Sequence, residues 1–344
     1  MLRRSLLVFA LVPFLIGADY LGAKQMERSK GILGDVFEIT VFSSDHNSES
    51  LSRVLDQAIE KVVALESAVD ENNAVSPASR LKNTAQGESV ALDEDGYFML
   101  KEAVRISRLT DGAYDVTARG LNNLWYEARL AGTPPAQSAI ESALPKGGYQ
   151  YILLDETSRT VTLQKAGIEI DWASVAKGYA IDRTAAFLKR NGVRSAIIRF
   201  GDSLRLMGLS GDGAAWRLGI EHPRLIDRHV AILEVPEENA ISTVGDYENF
   251  FLFKGKRYPL IPDPKTGLAG ESRVASVSVL APSALWSDAI ARAFFVLGPE
   301  KGFEMLDSIK EEGIEALCFQ EEQNGKFMLA TSEAFQSYIR EVLV

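Results

Sequence analysis

The sequence predicts an α+β fold in which largely antiparallel sheets are flanked by helices. Three observations carry this. Short runs with β-type alternation follow one another closely at 195–200, 204–208, 215–220, 230–235, 249–253 and 273–281, leaving no room for helical crossovers between most of them. Helical periodicity returns only after that block, so the order is mixed rather than a regular βαβ alternation. Asn324-Gly325, between EALCFQ and KFMLA, is a strong two-residue hairpin signal.

Taken in order, residues 34–42 place Phe37, Ile39 and Val41 on one face at period two, as a strand does. Leu51, Val54, Leu55, Ala58, Ile59, Val62 and Leu65 recur at helical spacing and predict a helix over 51–67. ENNAVSPAS reads as a loop. Asp93 is placed to cap a helix running to Leu109, and Gly112 suits its left-handed terminus. Residues 131–148, rich in Pro and Gly, read as a loose connection. YILLD and TVTLQ predict two strands joined by ETSR. Gly167–Asp171 reads as a further strand leading into a helix over 174–189. Helices are expected at 284–297, 299–310 and 332–341. No fixed-period repeat is present.

Composition narrows the chemistry. Of the 344 residues 46% are hydrophobic, which argues against general disorder. This length fits one large domain or two intermediate ones. Lys and Arg total 37 against 47 Asp and Glu, a net charge of -10, which disfavours a non-specific nucleic-acid binder. One cysteine, Cys318, excludes a disulfide framework and a Cys-rich metal site. The three histidines, His46, His222 and His229, form no H-x-x-x-H pair. The chain opens MLRR, then SLLVFALVPFLIG, then small residues. That is the pattern of a secretory signal, with cleavage expected near Ala18 or Ala23. The apolar run is shorter than the ~20 residues a membrane span needs. Residues 1–23 are therefore assigned to a signal peptide or N-terminal anchor and 24–344 to the folded domain. The expected location is exported: periplasmic, or at the outer face of the inner membrane. Membrane contact is expected only through the N-terminal segment, if it is uncleaved.

Four segments carry candidate chemistry: Thr110-Asp-Gly-Ala-Tyr-Asp115, Asp171-Trp-Ala-Ser174-Val-Ala-Lys177-Gly178-Tyr-Ala-Ile-Asp182, Thr243-Val-Gly-Asp-Tyr-Glu248 with Asp263-Pro-Lys-Thr-Gly267, and Ser287-Asp288-Ala-Ile-Ala-Arg292. A helix N-terminus around Ala173–Val175 suits an anion, and Lys177 adds a point charge one turn in. Asp288 is a hard oxygen ligand of the kind Mg²⁺ prefers. Each also has a plain structural reading: a helix terminator at Gly112, a solvated lysine at 177, a simple turn at 263–267, and an i, i+4 ion pair between Asp288 and Arg292.

The joint order of these segments, from about Gly31 to Gly298, resembles the ApbE family of FAD:protein FMN transferases. The family pattern runs T-x-G-a-[FY]-D, D-l-g-g-i-a-K-G-y-a-v-D, G-G-[DN], t-S-G-d-y-e, h-H-I-i-D-P-x-T-G and a-D-a-l-a-T-a. The resemblance implies an ApbE-like fold. It also implies transfer of FMN from FAD to a Thr or Ser hydroxyl of a target flavoprotein, with release of AMP. By the same resemblance Leu33, Ala113, Tyr114, Asp115, Asp171 and Lys177 contact the flavin nucleotide, and the Ser174 carbonyl and Asp288 carboxylate bind Mg²⁺.

The sequence departs from the pattern at positions close to the chemistry. Leu260 stands in the histidine slot, Arg292 in the threonine slot after the metal aspartate, and Val244 in the serine slot. Phe200-Gly201 replaces the glycine pair. On a helix, Asp288 and Arg292 share a face, so a guanidinium there could pair with the carboxylate and with a phosphate. Arg292 is accordingly the candidate catalytic residue and the candidate replacement for Mg²⁺. The two leading readings are a working transferase with an altered site and a catalytically impaired, exported flavin-binding protein of the same family. An exported binding module with an unrelated ligand is the third.

Overall fold

The computed structural model describes residues 24–343 apart from 44–46, 145–146, 226, 236, 271 and 323–325. The apolar leader, His46 and the Asn324-Gly325 turn lie outside the described residues. The chain enters as a hairpin, β1 (Lys24–Ile32) with β2 (Asp35–Ser43), closed on the pair Ile32↔Asp35. Leu33 and Gly34 between them both have positive φ, 48° and 75°, as a type I′ turn requires. Phe37, Ile39 and Val41 of β2 are fully buried, as their period-two spacing predicts.

The next stretch is mostly helical: α1 (Ser48–Val69), α2 (Pro77–Asn83), the short strand β3 (Ser89–Ala91), α3 (Glu94–Leu109), α4 (Arg119–Ala131) and α5 (Gln137–Ala143). Asp93 caps α3, its carboxylate accepting the Gly96 N–H at 2.8 Å. α2 begins in the last three residues of the segment read as a loop and continues beyond it, and α5 lies within the loose connection. α4 was not expected at all. It lacks a side-chain cap at Ala118 but buries Leu121, Trp125 and Ala128 on one stripe and stops at left-handed Gly132.

β4 (Ile152–Asp155) and β5 (Thr160–Leu163) form the expected pair, joined in one sheet to β3. Gly167–Asp171 is not a strand. Ile168 and Ile170 are buried, but the segment joins no ladder, and Asp171 N–H instead reaches the Val116 carbonyl at 2.7 Å. Alternation reported burial correctly and pairing wrongly.

After α6 (Ala173–Arg190) come β6 (Ser195–Phe200), β7 (Ser203–Met207), β8 (Trp216–Glu221), β9 (His229–Val235), β10 (Ala240–Gly245), β11 (Phe250–Phe253), β12 (Lys256–Pro259) and β13 (Val274–Ala281). The chain ends with α7 (Ala284–Leu297), α8 (Pro299–Ser308), β14 (Glu315–Glu321), β15 (Phe327–Thr331) and β16 (Ile339–Val342). The helix expected over 332–341 is thus a 3-10 turn followed by a strand. Phe335, Tyr338 and Ile339 have helical spacing, but Phe335 plugs the core and Ile339 pairs with Leu233 of β9. Strand pairing in the tertiary structure overrides the local period.

The main sheet has eight strands in the order β1-β2-β6-β7-β10-β13-β14-β15, every neighbour antiparallel. One face packs on α1, α3, α6 and α7. The other carries the sheet β16-β9-β8, whose Trp216, Leu218, Val230 and Leu233 meet Leu206, Leu317 and Phe319. The inner strand β13 is buried along its whole length because it is covered on both sides. The predicted α+β class, with largely antiparallel sheets flanked by helices, is therefore the observed one. Cys318 lies in β14 in this interior, and burial pushes its thiol up to about 12, so it is not a nucleophile near neutral pH.

Candidate active site

Two helices, α6 and α7, bring the sequence-predicted residues together. They cross at Gly178, where an added Cβ would lie 2.5 Å from Leu285 Cα and 2.7 Å from the Ala284 carbonyl. Only glycine allows that approach. Asp182, the last residue of the second motif, fixes the start of α7. Its carboxylate accepts the Ala284 and Leu285 N–H groups at 2.9 and 3.1 Å and the Ser283 hydroxyl at 2.7 Å, and pairs with Arg205 at 2.7 Å. A motif aspartate is thus the anchor of the helix that bears Asp288.

Asp171 organises the start of α6. It accepts from Ser174 N–H at 3.3 Å and from the Asn122 amide of α4 at 2.8 Å. The Ser174 and Val175 N–H groups already donate within the turn, to Asp171 and Trp172 carbonyls at 3.2 Å. Tyr114 hydroxyl lies 3.1 Å from Ser174 Oγ. Burial raises the Tyr114 pKa, so the phenol stays protonated and available as a donor.

Asp288 is buried on an apolar helix and is met one turn on by Arg292, Nε to Oδ1 3.2 Å. The carboxylate raises the guanidinium's pKa further, with Asp171 contributing. The arginine side chain keeps 36% of its surface exposed, so it faces the cleft rather than the core.

The cleft has two lobes and a neck. One lobe, of about 450 Å³, is lined by Asp111, Gly112, Asp115, Tyr149, Pro264 and Lys265, among others. The second, of about 370 Å³, is lined by Asp171, Asp202, Val244, Glu248, Leu260, Asp288 and Arg292. The neck, of about 40 Å³, is lined by Ala113, Tyr114, Asp115, Asp171, Ser174 and Arg292. Asp115 accepts from Thr117 N–H and hydroxyl at 2.8 and 2.7 Å; burial still raises its pKa. The Asp263–Gly267 turn is both structural and site-forming. Its backbone closes at 2.7 Å from Gly267 N–H to Asp263 carbonyl, Trp125 donates to Gly267, and Pro264 and Lys265 reach the first lobe.

Seven of the nine predicted residues line this cleft. The other two do not. Lys177 pairs with Asp35 at 2.8 Å, so its charge is already partnered. Leu33 packs against the core, with its N–H on Glu66 at 2.6 Å. The Asp35–Lys177 pair ties the Leu33-Gly34 turn to α6. Sequence reading missed Asn122, Asp35, Glu248 as a cleft residue, and the carboxyl of Asp202. Glu248 was visible as the end of the third motif; Asn122 gave no signal because α4 was unseen. Neither His222 nor His229 lines the cleft. His222 sits edge-on to the stacked Phe319 and Phe327 rings, at 5.3 and 5.5 Å, and accepts the Arg224 N–H at 3.1 Å.

A family model described as the ApbE family matches residues 33–318. The chain belongs to the ApbE family. It is 30% identical over 312 residues to a Vibrio cholerae protein named FAD:protein FMN transferase, covering 89% of this chain and 91% of that one. A protein of the same name from Escherichia coli K12 is 33% identical over 243 residues, covering 69% and 68%. Among solved structures, the ApbE protein of Thermotoga maritima superposes with a TM-score of 0.79 at 28% identity over 92% of this chain and all of that chain. The flavin transferase ApbE of Vibrio cholerae gives 0.78 at 28% identity, covering 92% and 99%. The motifs that define ApbE proteins by resemblance are therefore the ones that build the cleft. The departures Val244, Leu260 and Arg292 all lie on its wall.

Proposed function

We propose that the protein is an FAD:protein FMN transferase, which binds FAD across the two lobes and passes FMN to a Thr or Ser hydroxyl of a target flavoprotein, releasing AMP. Family membership and the names of its relatives support this over an impaired flavin binder. The observation that carries the reading is Arg292 in the neck. Each lobe has a volume suited to a small-molecule group. The neck between them is where the pyrophosphate of a dinucleotide would lie. That dianion must enter a cleft lined by Asp115, Asp171 and Asp288, and a cation there offsets the repulsion. Arg119 also reaches the second lobe but is paired with Glu71 at 3.1 Å. Among the described residues that line the neck, Arg292 is the cation, and Arg119 is not one of them.

In this reading FAD is substrate, and the acceptor attacks the phosphorus of the FMN half. Preorganised positive charge at the leaving oxygen lowers the barrier, since phosphoryl transfer rests mainly on positioning and electrostatics. Tyr114 and Asn122 hold the Asp171–Ser174 turn, and Asp288 holds the guanidinium in place.

A magnesium ion fits this donor set poorly. Asp288 Oδ1 already accepts from a guanidinium fixed one turn away, and a divalent cation would sit against that charge. Among the described residues no group of three His, Cys, Asp or Glu side chains is disposed to hold a metal. Arg292 takes the metal's place in our reading. Incubation with FAD and a flavoprotein acceptor, followed by intact mass, tests both claims. A mass gain of one FMN less water is expected, and it persists in EDTA. Arg292→Ala is expected to lose about 100- to 1,000-fold in transfer rate. Arg292→Thr is expected to regain part of that loss only when Mg²⁺ is added. No mass gain with any acceptor would remove the transferase reading; abolition by EDTA would remove the substitution.

We further propose export, with residues 1–23 as signal peptide or anchor and the domain in the periplasm of a Gram-negative source. The MLRR-apolar-small pattern supports it. No helix among the described residues is long and apolar enough to cross a membrane. N-terminal sequencing of protein from a periplasmic extract is expected to begin near residue 19 or 24.

A further inference from the structure

We propose that the Asp202–Glu248 carboxyl pair accepts the proton of the attacking hydroxyl, a task for which no histidine lines this cleft among the described residues. The proposal rests on the transferase reading.

Asp202 sits in the two-residue turn that joins β6 to β7, where Phe200 pairs with Ser203. Glu248 follows β10, the next strand across the sheet. Both line the second lobe, beside Leu260, Asp288 and Arg292. Leu260 cannot take a proton. Among the described residues neither acid forms an ion pair with a cation at 4.0 Å or less, although the neighbouring Asp35 and Asp288 each have one. Glu248 Oε1 is shut off from solvent and has no hydrogen-bond partner among the described residues. A carboxyl oxygen held on the cleft wall with no donor among the described residues has no structural bond to explain it, and Asp202 is the acid beside it.

Two adjoining half-buried carboxyls repel when both are charged, so in this proposal they share one proton. Burial raises both, Glu248 much further, with Asp202 adding to it, while the hydrogen bond from Glu248 pulls Asp202 back down. The shared proton therefore resides on Glu248, and Asp202 presents the free carboxylate. Asp35, Lys177, Asp288, Glu221 and Tyr247 act on the pair, Arg119 and Arg292 share its lobe, and Glu27, Glu38, Arg199 and Arg217 line a pocket that Asp202 also reaches.

The step balances without a further reactant. The acceptor hydroxyl oxygen forms a bond to the FMN phosphorus, and the bond from that phosphorus to the bridging oxygen breaks. The electron pair leaves on the phosphate of AMP, next to Arg292. The hydroxyl proton passes to Asp202. Glu248 polarises and orients the base by its hydrogen bond, and is a positioning residue.

The test measures FMN transfer to a flavoprotein acceptor, and FAD affinity, for the full chain from pH 5 to 9. Wild type is expected to lose rate as pH falls, since protonating Asp202 removes the base. Asp202→Asn is expected to cut the rate about 100- to 10,000-fold and to abolish that acid limb, with FAD affinity kept. Glu248→Gln, which preserves a neutral donor, is expected to cost far less than Glu248→Ala. Adding Leu260→His to Asp202→Asn is expected to restore part of the rate. If Asp202→Asn does not fold, the ordering of the two Glu248 variants and the wild-type acid limb decide. Asp202→Asn with rate and pH profile near wild type, or Gln and Ala equally damaging at 248, overturns the proposal while leaving the transferase reading intact. Wild type that binds FAD but transfers nothing overturns that reading, and this proposal with it.

Discussion

Asp182→Ala is expected to destabilise the fold by about 3–5 kcal/mol, because it strips the partner from a partly buried arginine and uncaps a core helix in one step. Arg205 and Asp182 side chains are only 15% and 21% exposed. Arg205 already carries a buried Nε with no partner among the described residues. It keeps only the Pro282 and Glu238 oxygens after the change. The Ala284 and Leu285 N–H groups and the Ser283 hydroxyl lose their acceptor as well. For a chain of this size the loss corresponds to a melting point lower by roughly 5–8 °C. Asp182→Asn keeps one acceptor oxygen and is expected to lose about half as much. Thermal unfolding followed by circular dichroism reads both. Equal stability of wild type and Asp182→Ala would show that α7 is positioned by packing alone. Asp182 lines no part of the cleft, so any fall in FMN transfer by the folded Asn variant reports a shift of Asp288 and Arg292.

The second large effect is expected at Gly178. Gly178→Ala places a methyl against Leu285 backbone, which cannot rotate away as a side chain could. Overpacking of this kind costs about 1–3 kcal/mol, and more where backbone must move. The functional loss is expected to exceed the stability loss. Ser174 and Asp171 lie on one side of this crossing and Asp288 with Arg292 on the other. A separation of about 1 Å at a reacting centre can cost on the order of 100-fold in rate. Gly31→Ala is the control, since nothing lies within 4 Å of its Cβ position, and it is expected to leave stability and transfer near wild type. A Gly178→Ala protein with wild-type transfer would show that the two halves of the site are not held by the α6–α7 approach.

Much of the fold was legible because its elements advertise themselves locally. Asp93 before a periodic stretch, the alternation of Phe37, Ile39 and Val41, and the strands from 195 to 281 are short-range signals that burial then obeys. The failures share one cause. Ile168 and Ile170 alternate like a strand but have no partner strand. Phe335 to Ile339 is spaced like a helix, yet β9 needs an edge partner and takes Ile339. α4 has no cap to announce it and is held by Trp125 packing on Phe251 and Tyr258.

The sequence by itself determined the fold class, the family and seven of the residues on the cleft wall, because motif order and spacing are one-dimensional. It also exposed the exchanges at Phe200, Val244, Leu260 and Arg292, since these are visible wherever a pattern is broken. Only the tertiary structure decided what each residue does. It turned Asp182 from a motif letter into the cap of α7, gave Lys177 a partner in Asp35, and set Arg292 in the neck. It also set Asp202 against Glu248 across 46 positions of sequence. These are outcomes of proximity between distant segments, and charge, burial and proton sharing follow distance in space rather than spacing along the chain.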